Sequence, residues 1–172
     1  LNGKVDGGRI EVMNTVTLRA FQSGDIDWLV ERHATLYAQT DGFDGTFGPL
    51  VRSILEAFEA DHDPACERGW IAEVGGNPIG SIFCVRFNAT TAKLRLFLLV
   101  PEARGKGVWR QLLAQCMTFA RDTGYEGMQL WTHESHRTAC ALYARTGWTL
   151  DDSKPVHSFG QDLIEQTWIY RF

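Results

Sequence analysis

An apolar run that stops at a basic, glycine-rich turn and resumes with helical period constrains this chain more than any other feature. Leu94-Arg95-Leu96-Phe97-Leu98-Leu99-Val100 reads as a buried strand. Pro101-Glu102-Ala103-Arg104-Gly105-Lys106-Gly107 follows, after which Val108, Leu112, Cys116 and Phe119 share one face of a helix over 107–123. This order sets a helix N-terminus, with N–H groups that lack intrahelical partners, at the end of a strand. Gly105 and Gly107 allow a tight turn and close approach of an anion. Arg104, Lys106 and Arg110 add positive charge around the same mouth. A diphosphate is the expected occupant, and a solvated surface turn is the competing explanation. The loop is not a Walker A sequence, because GxxxxGK[ST] is absent, and its R-G-K-G spacing departs from the dinucleotide pattern GxGxxG.

The same periodicity places the other elements. Residues 12–20 alternate as a strand, and Ser23, Gly24 and Asp25 offer the start of a helix carrying Trp28, Leu29, Leu36 and Tyr37. Residues 42–48 interrupt it. A second helix is predicted from about Pro49, with Leu50, Ile54, Leu55 and Phe58 as its stripe and His62-Asp63-Pro64 as its close. Strands over 69–74 and 78–86 flank Gly75-Gly76-Asn77, a tight hairpin connection. A strand over 92–100, the helix over 107–123, a strand over 128–132 and a short helix over 137–146 complete the middle. The tail holds one strand near 167–171 and another around 148–150. The order β-α-α-β-β-β-α-β-α-β-β predicts an α/β domain with a mixed sheet. Residues 1–11 read as a tail or linker, and 12–172 as one domain.

Composition narrows the function classes. A chain of 172 residues, 44% hydrophobic and 22% charged, suits one globular domain. The net charge of -4 and the lack of a basic stripe argue against nucleic-acid binding. No apolar run approaches a membrane span, and no Lys/Arg-rich amphipathic helix suggests a membrane surface. Cys66, Cys84, Cys116 and Cys140 lack metal-ligand spacing with the histidines and read as free thiols, so a reducing cytoplasm is expected. No signal pattern is visible. The sequence opens on Leu1 and not Met, which suggests a processed or excised fragment or a cloning remnant, so upstream sequence is an open expectation.

The strand–loop–helix resembles the acyl-coenzyme A loop of the GNAT acetyltransferases, whose motif is Q/R-x-x-G-x-G/A. Arg104 and Gly107 match its first and fourth positions, while Trp109 stands where a small residue is usual. Leu130-Trp131-Thr132, Ala139, Leu142-Tyr143 and Gly147-Trp148 resemble the family's downstream strand, helix and LYxxxGF ending. The chain also resembles acetyltransferase domains that follow MarR-type regulators, through Arg32-His33, Leu36-Tyr37, Thr91-Ala92-Lys93-Leu94-Arg95 and the segment Pro155-Val156-His157-Ser158-Phe159-Gly160-Gln161-Asp162-Leu163. The regulator's DNA binding is not carried over.

The GNAT resemblance implies a mixed, mostly antiparallel central sheet of six to seven strands flanked by about four helices. It implies acetyl-CoA as acyl donor and transfer of acetyl to a primary amine of a small molecule or protein. The alternative is a non-catalytic acyl-CoA sensor. Cofactor contacts are expected from Leu98, Leu99, Val100, Arg104, Gly105, Lys106, Gly107, Val108, Trp109 and Arg110. His136, which stands where Asn is common, is expected beside them. Tyr143 is the expected proton donor to the departing thiolate. Glu73 and His157 are the candidate bases, against a solvated carboxylate and a structural histidine. His33 and Tyr37, four residues apart on the first helix, are expected at the acceptor, as is Arg95, which could instead belong to a buried ion pair. The acceptor's identity, a homodimer and an upstream regulator domain are left open.

Overall fold

The computed structural model describes residues 15–172. Strand β1 (Val16–Ala20) leads through a 3-10 turn at Ser23–Asp25 into α1 (Ile26–Asp41) and α2 (Phe47–Asp61). Three strands follow: β2 (Arg68–Val74), β3 (Asn77–Arg86) and β4 (Thr91–Leu99). A second 3-10 turn, Pro101–Ala103, brings the chain to α3 (Val108–Asp122). Then come β5 (Gly127–His133), α4 (Arg137–Arg145) and a hairpin of β6 (Thr149–Ser158) and β7 (Gln161–Arg171). The strands form one sheet in the order β1-β2-β3-β4-β5-β7-β6. Only β4 and β5 run parallel; the other neighbours are antiparallel. This is the mixed α/β sheet expected from an alternation of helices and strands broken by a hairpin run.

Side chains alternate across each strand and so sort onto two faces. On one face Ala72, Ile82, Leu94 and Leu130 pack with Val108, Leu112 and Cys116 of α3 and with Tyr143 of α4. On the other, Ile71 and Phe83 pack with Leu29 of α1 and with Val51, Leu55 and Phe58 of α2. Burying each large aliphatic chain contributes roughly 1.5–3 kcal/mol. Among the described residues, the second cluster takes nothing from β5, β6 or β7. The face under α1 and α2 is therefore sealed by core packing only as far as β4.

Boundaries differ from expectation where local chemistry outweighs periodicity. The strand read over 12–20 is described from Val16, and residues 12–14 lie outside the described residues. Helix α2 begins at Phe47, two positions before Pro49, which sits in the first turn where a missing N–H costs no hydrogen bond. The two short tail strands are one long hairpin. Strand β6 is an edge strand, exposed at nearly every position, so it shows no apolar alternation, and an edge tolerates Pro155. Its turn places Phe159 at φ 54° and Gly160 at φ 73°. Two left-handed residues in succession match the right-handed twist of a tight hairpin.

Candidate active site

The sheet opens into a fork between its two parallel strands. The β4–β5 pairing covers Thr91–Gly127 to Leu94–Leu130 and stops there, although β4 runs on to Leu99 and β5 to His133. A bulge in β4 begins the divergence. The register against β3 shifts between Ser81 and Phe83, and Leu96 takes φ 48°. Ser81 Oγ donates to the Leu96 carbonyl at 2.7 Å and holds the bulge in shape. Beyond it, the Val100 N–H points to β3, donating to the Ile79 carbonyl at 2.9 Å. Strand alternation then directs the Leu99 N–H and C=O to the opposite edge, into the fork. Leu98 and Leu99 thus end β4, with Val100 just after it, along an outer edge that has no paired strand among the described residues.

The loop after β4 builds the mouth of this fork. Gly105 has φ 75° and Gly107 φ 74°, and a Cβ at either would meet nothing within 4 Å. Backbone conformation, not crowding, therefore demands glycine here. Among the described residues, no group accepts from the N–H of Gly105, Lys106, Gly107, Val108 or Trp109, whereas Arg110 and Gln111 already donate to the Gly107 carbonyl. Consecutive unpartnered donors at the start of α3, with exposed Arg104, Lys106 and Arg110 nearby, suit a phosphorylated ligand. Trp109 packs part of its ring against the α3-side core, and the Arg110 guanidinium carbon lies 5.2 Å from the ring centroid.

Tyr143 comes from α4 on the α3 side of the sheet. Its ring is buried against Trp148 and Trp168, at centroid distances of 5.8 and 6.3 Å. The hydroxyl has no hydrogen-bond partner among the described residues. Burial, reinforced by Tyr37, raises its pKa well above the ordinary tyrosine value, so it carries its proton throughout the neutral range.

The acetyltransferase (GNAT) family model matches residues 28–148 of this chain. That span contains the fork, the glycine loop and Tyr143. The chain belongs to the GNAT family. Solved structures share the fold at low identity. A GNAT-family acetyltransferase from Staphylococcus aureus is 15% identical with a TM-score of 0.75, covering 91% of this chain and 99% of that one. A protein from Salmonella typhimurium, described as an acetyltransferase and solved with acetyl-CoA, is 17% identical with a TM-score of 0.73 over 91% and 94%. A chimeric spermidine N-acetyltransferase built from a Vibrio cholerae enzyme is 21% identical with a TM-score of 0.67 over 91% and 94%. No curated protein matches significantly.

In this GNAT domain the other expected site residues divide into two groups. His33 and Tyr37 stack at 6.2 Å on α1, and Tyr37 meets the His136 ring at 5.5 Å. His33 Nδ1 lies 2.8 Å from the Leu29 carbonyl, while its Nε2 is buried with no partner. Burial pushes its pKa down to about 4 and that of Tyr37 up to about 12, so both are neutral near pH 7. His136 is held at both ring nitrogens, by Asp41 at 2.8 Å and Thr132 at 3.3 Å, which ties the start of α4 to the end of α1.

Glu73 lies apart from the fork, and His157 stands on the β6–β7 hairpin. Glu73 accepts from Arg19 Nε at 2.6 Å, and Arg19 also grips both Asp25 oxygens at 2.7 Å. Strand β2 stands two strands from β4, roughly 10 Å at ordinary strand spacing. His157 is exposed on the hairpin and bonds Asp162 at 2.7 Å. Beside it is a depression of about 380 Å³.

Sequence reading passed over an aromatic cluster that joins the hairpin to the α1–α2 loop. Phe159 meets Phe43 at 4.8 Å and Phe47 at 4.9 Å, and its carbonyl accepts from the Asp44 N–H at 3.0 Å. It also passed over Gln129 and the pairing of Lys93 with Trp131, whose ammonium and ring centroid are 3.1 Å apart. A lysine and an arginine two apart in an apolar strand were the available signal. No helix is long and apolar enough to cross a membrane among the described residues.

Proposed function

We propose that this GNAT domain is an acetyl-CoA-dependent N-acetyltransferase acting on a primary amine of a small molecule or protein. One observation carries the reading: the β4–β5 fork opens beside five consecutive N–H groups, from Gly105 to Trp109, that have no partner among the described residues. Acetyl-CoA would supply an activated acyl thioester. Its phosphates fit the donors and cations of residues 104–110, and an amide-bearing arm fits the free edge of β4 at Leu98 to Val100. The Leu99 N–H, aimed into the fork, suits stabilisation of negative charge on the acyl oxygen. Holding both reactants in one cleft supplies a large part of the acceleration.

The amine forms the new C–N bond as the C–S bond breaks, and sulfur needs a proton. Tyr143 can give one, because burial keeps its hydroxyl protonated and no acceptor among the described residues competes for it. The amine's proton passes to solvent or a base. Asp25 and Arg19 already claim the surroundings of Glu73, which favours His157 or water over it. His136 serves by positioning α4 through Asp41. Two further readings rest on sequence: membership of the branch that follows MarR-type regulators, and a reducing cytoplasmic setting that suits four free cysteines.

The test is acetyl-CoA titration by calorimetry, followed by thiol release over a broad amine panel. Saturable binding with amine-dependent thiol release is expected. Binding without turnover on any amine would turn the reading to an acyl-CoA sensor, and absence of binding would end both.

A further inference from the structure

The face of the sheet opposite α3 carries an arrangement that the transfer chemistry does not use. Ala92 and Leu94 on β4, and Met128 and Leu130 on β5, belong to the α3-side core. Lys93, Arg95 and Gln129 between them must point the other way. Lys93 and Gln129 are direct partners across β4–β5, and Arg95 is the first β4 residue past the last rung. Arg95 pairs with Phe83, a member of the α1–α2 cluster, which fixes its face independently. These three side chains therefore stand together where the fork begins.

Among the described residues, none of the three has the acceptor its chemistry requires. Gln129 is 91% buried, and its amide nitrogen is sealed from water without a partner. Leaving such a group unmade costs about 1–3 kcal/mol. The Arg95 guanidinium is half-buried and forms neither a hydrogen bond nor an ion pair among the described residues, although Asp61 and Glu67 line a cavity with it, so the buried ion pair considered from sequence is not formed there. Lys93 rests on the Trp131 ring, and the nearest acid that it feels, Glu165, is paired with Lys154 at 3.4 Å. Donors dominate where acceptors are missing. The complement is an anion with two or more oxygens.

We infer that the acceptor amine also carries a carboxylate, as a free amino acid does, and that Arg95, Lys93 and Gln129 hold it. The inference rests on the acetyltransferase reading. A carboxylate matches the Arg95 fork, takes the Gln129 N–H and neutralises Lys93. It sits at the point of divergence, so an amine on the carbon next to the carboxylate is delivered to the fork. Arg95 and Leu96 also line a cavity of about 440 Å³ whose walls are part apolar, from Ile54, Phe58 and Phe83, and part polar, which gives room for the acceptor's side chain. Asp61 and Glu67 share that lining, so the acceptor's own acid is better placed toward Lys93 and Gln129.

The experiment compares the twenty L-amino acids with their carboxamides as acceptors, for the wild type and for Arg95→Met. Carboxylates should be used at least 10-fold better in kcat/KM. Arg95→Met should raise their KM about 10-fold or more and erase the preference, while leaving acetyl-CoA KM and the melting temperature close to wild type. Equal use of acids and carboxamides, or an intact preference in Arg95→Met, overturns the proposal. A second arm needs no turnover: calorimetric binding of N-acetyl-L-amino acids against their carboxamides in the presence of coenzyme A. Selective binding of the acids, lost in Arg95→Met and in Gln129→Met, supports the site even if no acceptor turns over, and unselective binding counts against it. Loss of acetyl-CoA binding would instead strike the acetyltransferase reading.

Discussion

The two ends of the cleft are built from different materials. At the donor end, Gly105 to Trp109 offer main-chain N–H groups, and the side chains there are largely exposed. At the proposed acceptor end, Lys93, Arg95, Gln129 and Tyr37 offer half-buried or buried side chains on strands and a helix. A backbone site needs only conformation, which two glycines supply. A side-chain site needs its members brought together from β4, β5 and α1. The first can serve one invariant ligand on many scaffolds, whereas the second can be rewritten residue by residue to change the acceptor.

This contrast can be broken by experiment, with the largest effect at the junction of the two ends. Tyr143→Phe should lower kcat by about 100-fold, within the usual range for general acid catalysis, and leave acetyl-CoA affinity within about twofold. Stopped-flow thiol release with parallel calorimetry reads both. An unchanged kcat removes Tyr143 as the proton donor.

Acid stability probes the buried acceptor side. His33 has its pKa lowered to about 4 by burial, against 6.5 unfolded. A depressed folded value contributes stability above pH 6.5 that is lost as pH falls toward 4. Linkage over that window gives about 2.5 kcal/mol between pH 7 and pH 4.5. Urea midpoints should show this loss in the wild type and a shallower one in His33→Leu. Parallel pH profiles would mean that His33 is hydrated or paired in solution.

Substitution in the cradle should act on the donor alone. Gly107→Val forces a β-branched residue to φ 74°, at roughly 1–2 kcal/mol. Acetyl-CoA Kd should rise about 10-fold with acceptor KM unchanged, and a change in both would show that the ends are coupled. The smallest effect belongs to Lys93, whose pKa burial, and then Arg95, bring down to about 8. Its charge is present below pH 8 and lost above it. The wild-type to Lys93→Met ratio of kcat/KM for an amino acid should be a few-fold at pH 7 and approach one by pH 9.5. A ratio that is flat with pH would assign Lys93 to packing on Trp131.

What the sequence made legible follows the same division. The strand–turn–helix around Gly105 and Gly107 is a local pattern with a local cause, and the structure has it nearly residue for residue. Arg95 could be noticed as a charge in an apolar strand. Its lack of an ion pair, and its company with Gln129, depend on a parallel pairing between segments more than thirty residues apart. The β6–β7 hairpin escaped because an exposed edge strand carries no apolar period. Glu73 looked available from sequence, and only the β1–β2 register places Arg19 against it.

The hairpin tip sets an order of assembly. Asp44 and Gly42 take their partners from Phe159 and Gln161, the latter across 119 residues. At about 5–20 residues per second of synthesis, the α1–α2 loop waits on the order of ten seconds for the ring and carbonyl that fix it. The glycine loop and α3 are synthesised before that, whereas β5 gains its antiparallel partner β7 only after the tip. The glycine loop therefore leaves the ribosome well before the aromatic contacts that close the α1–α2 loop, and those contacts arrive last.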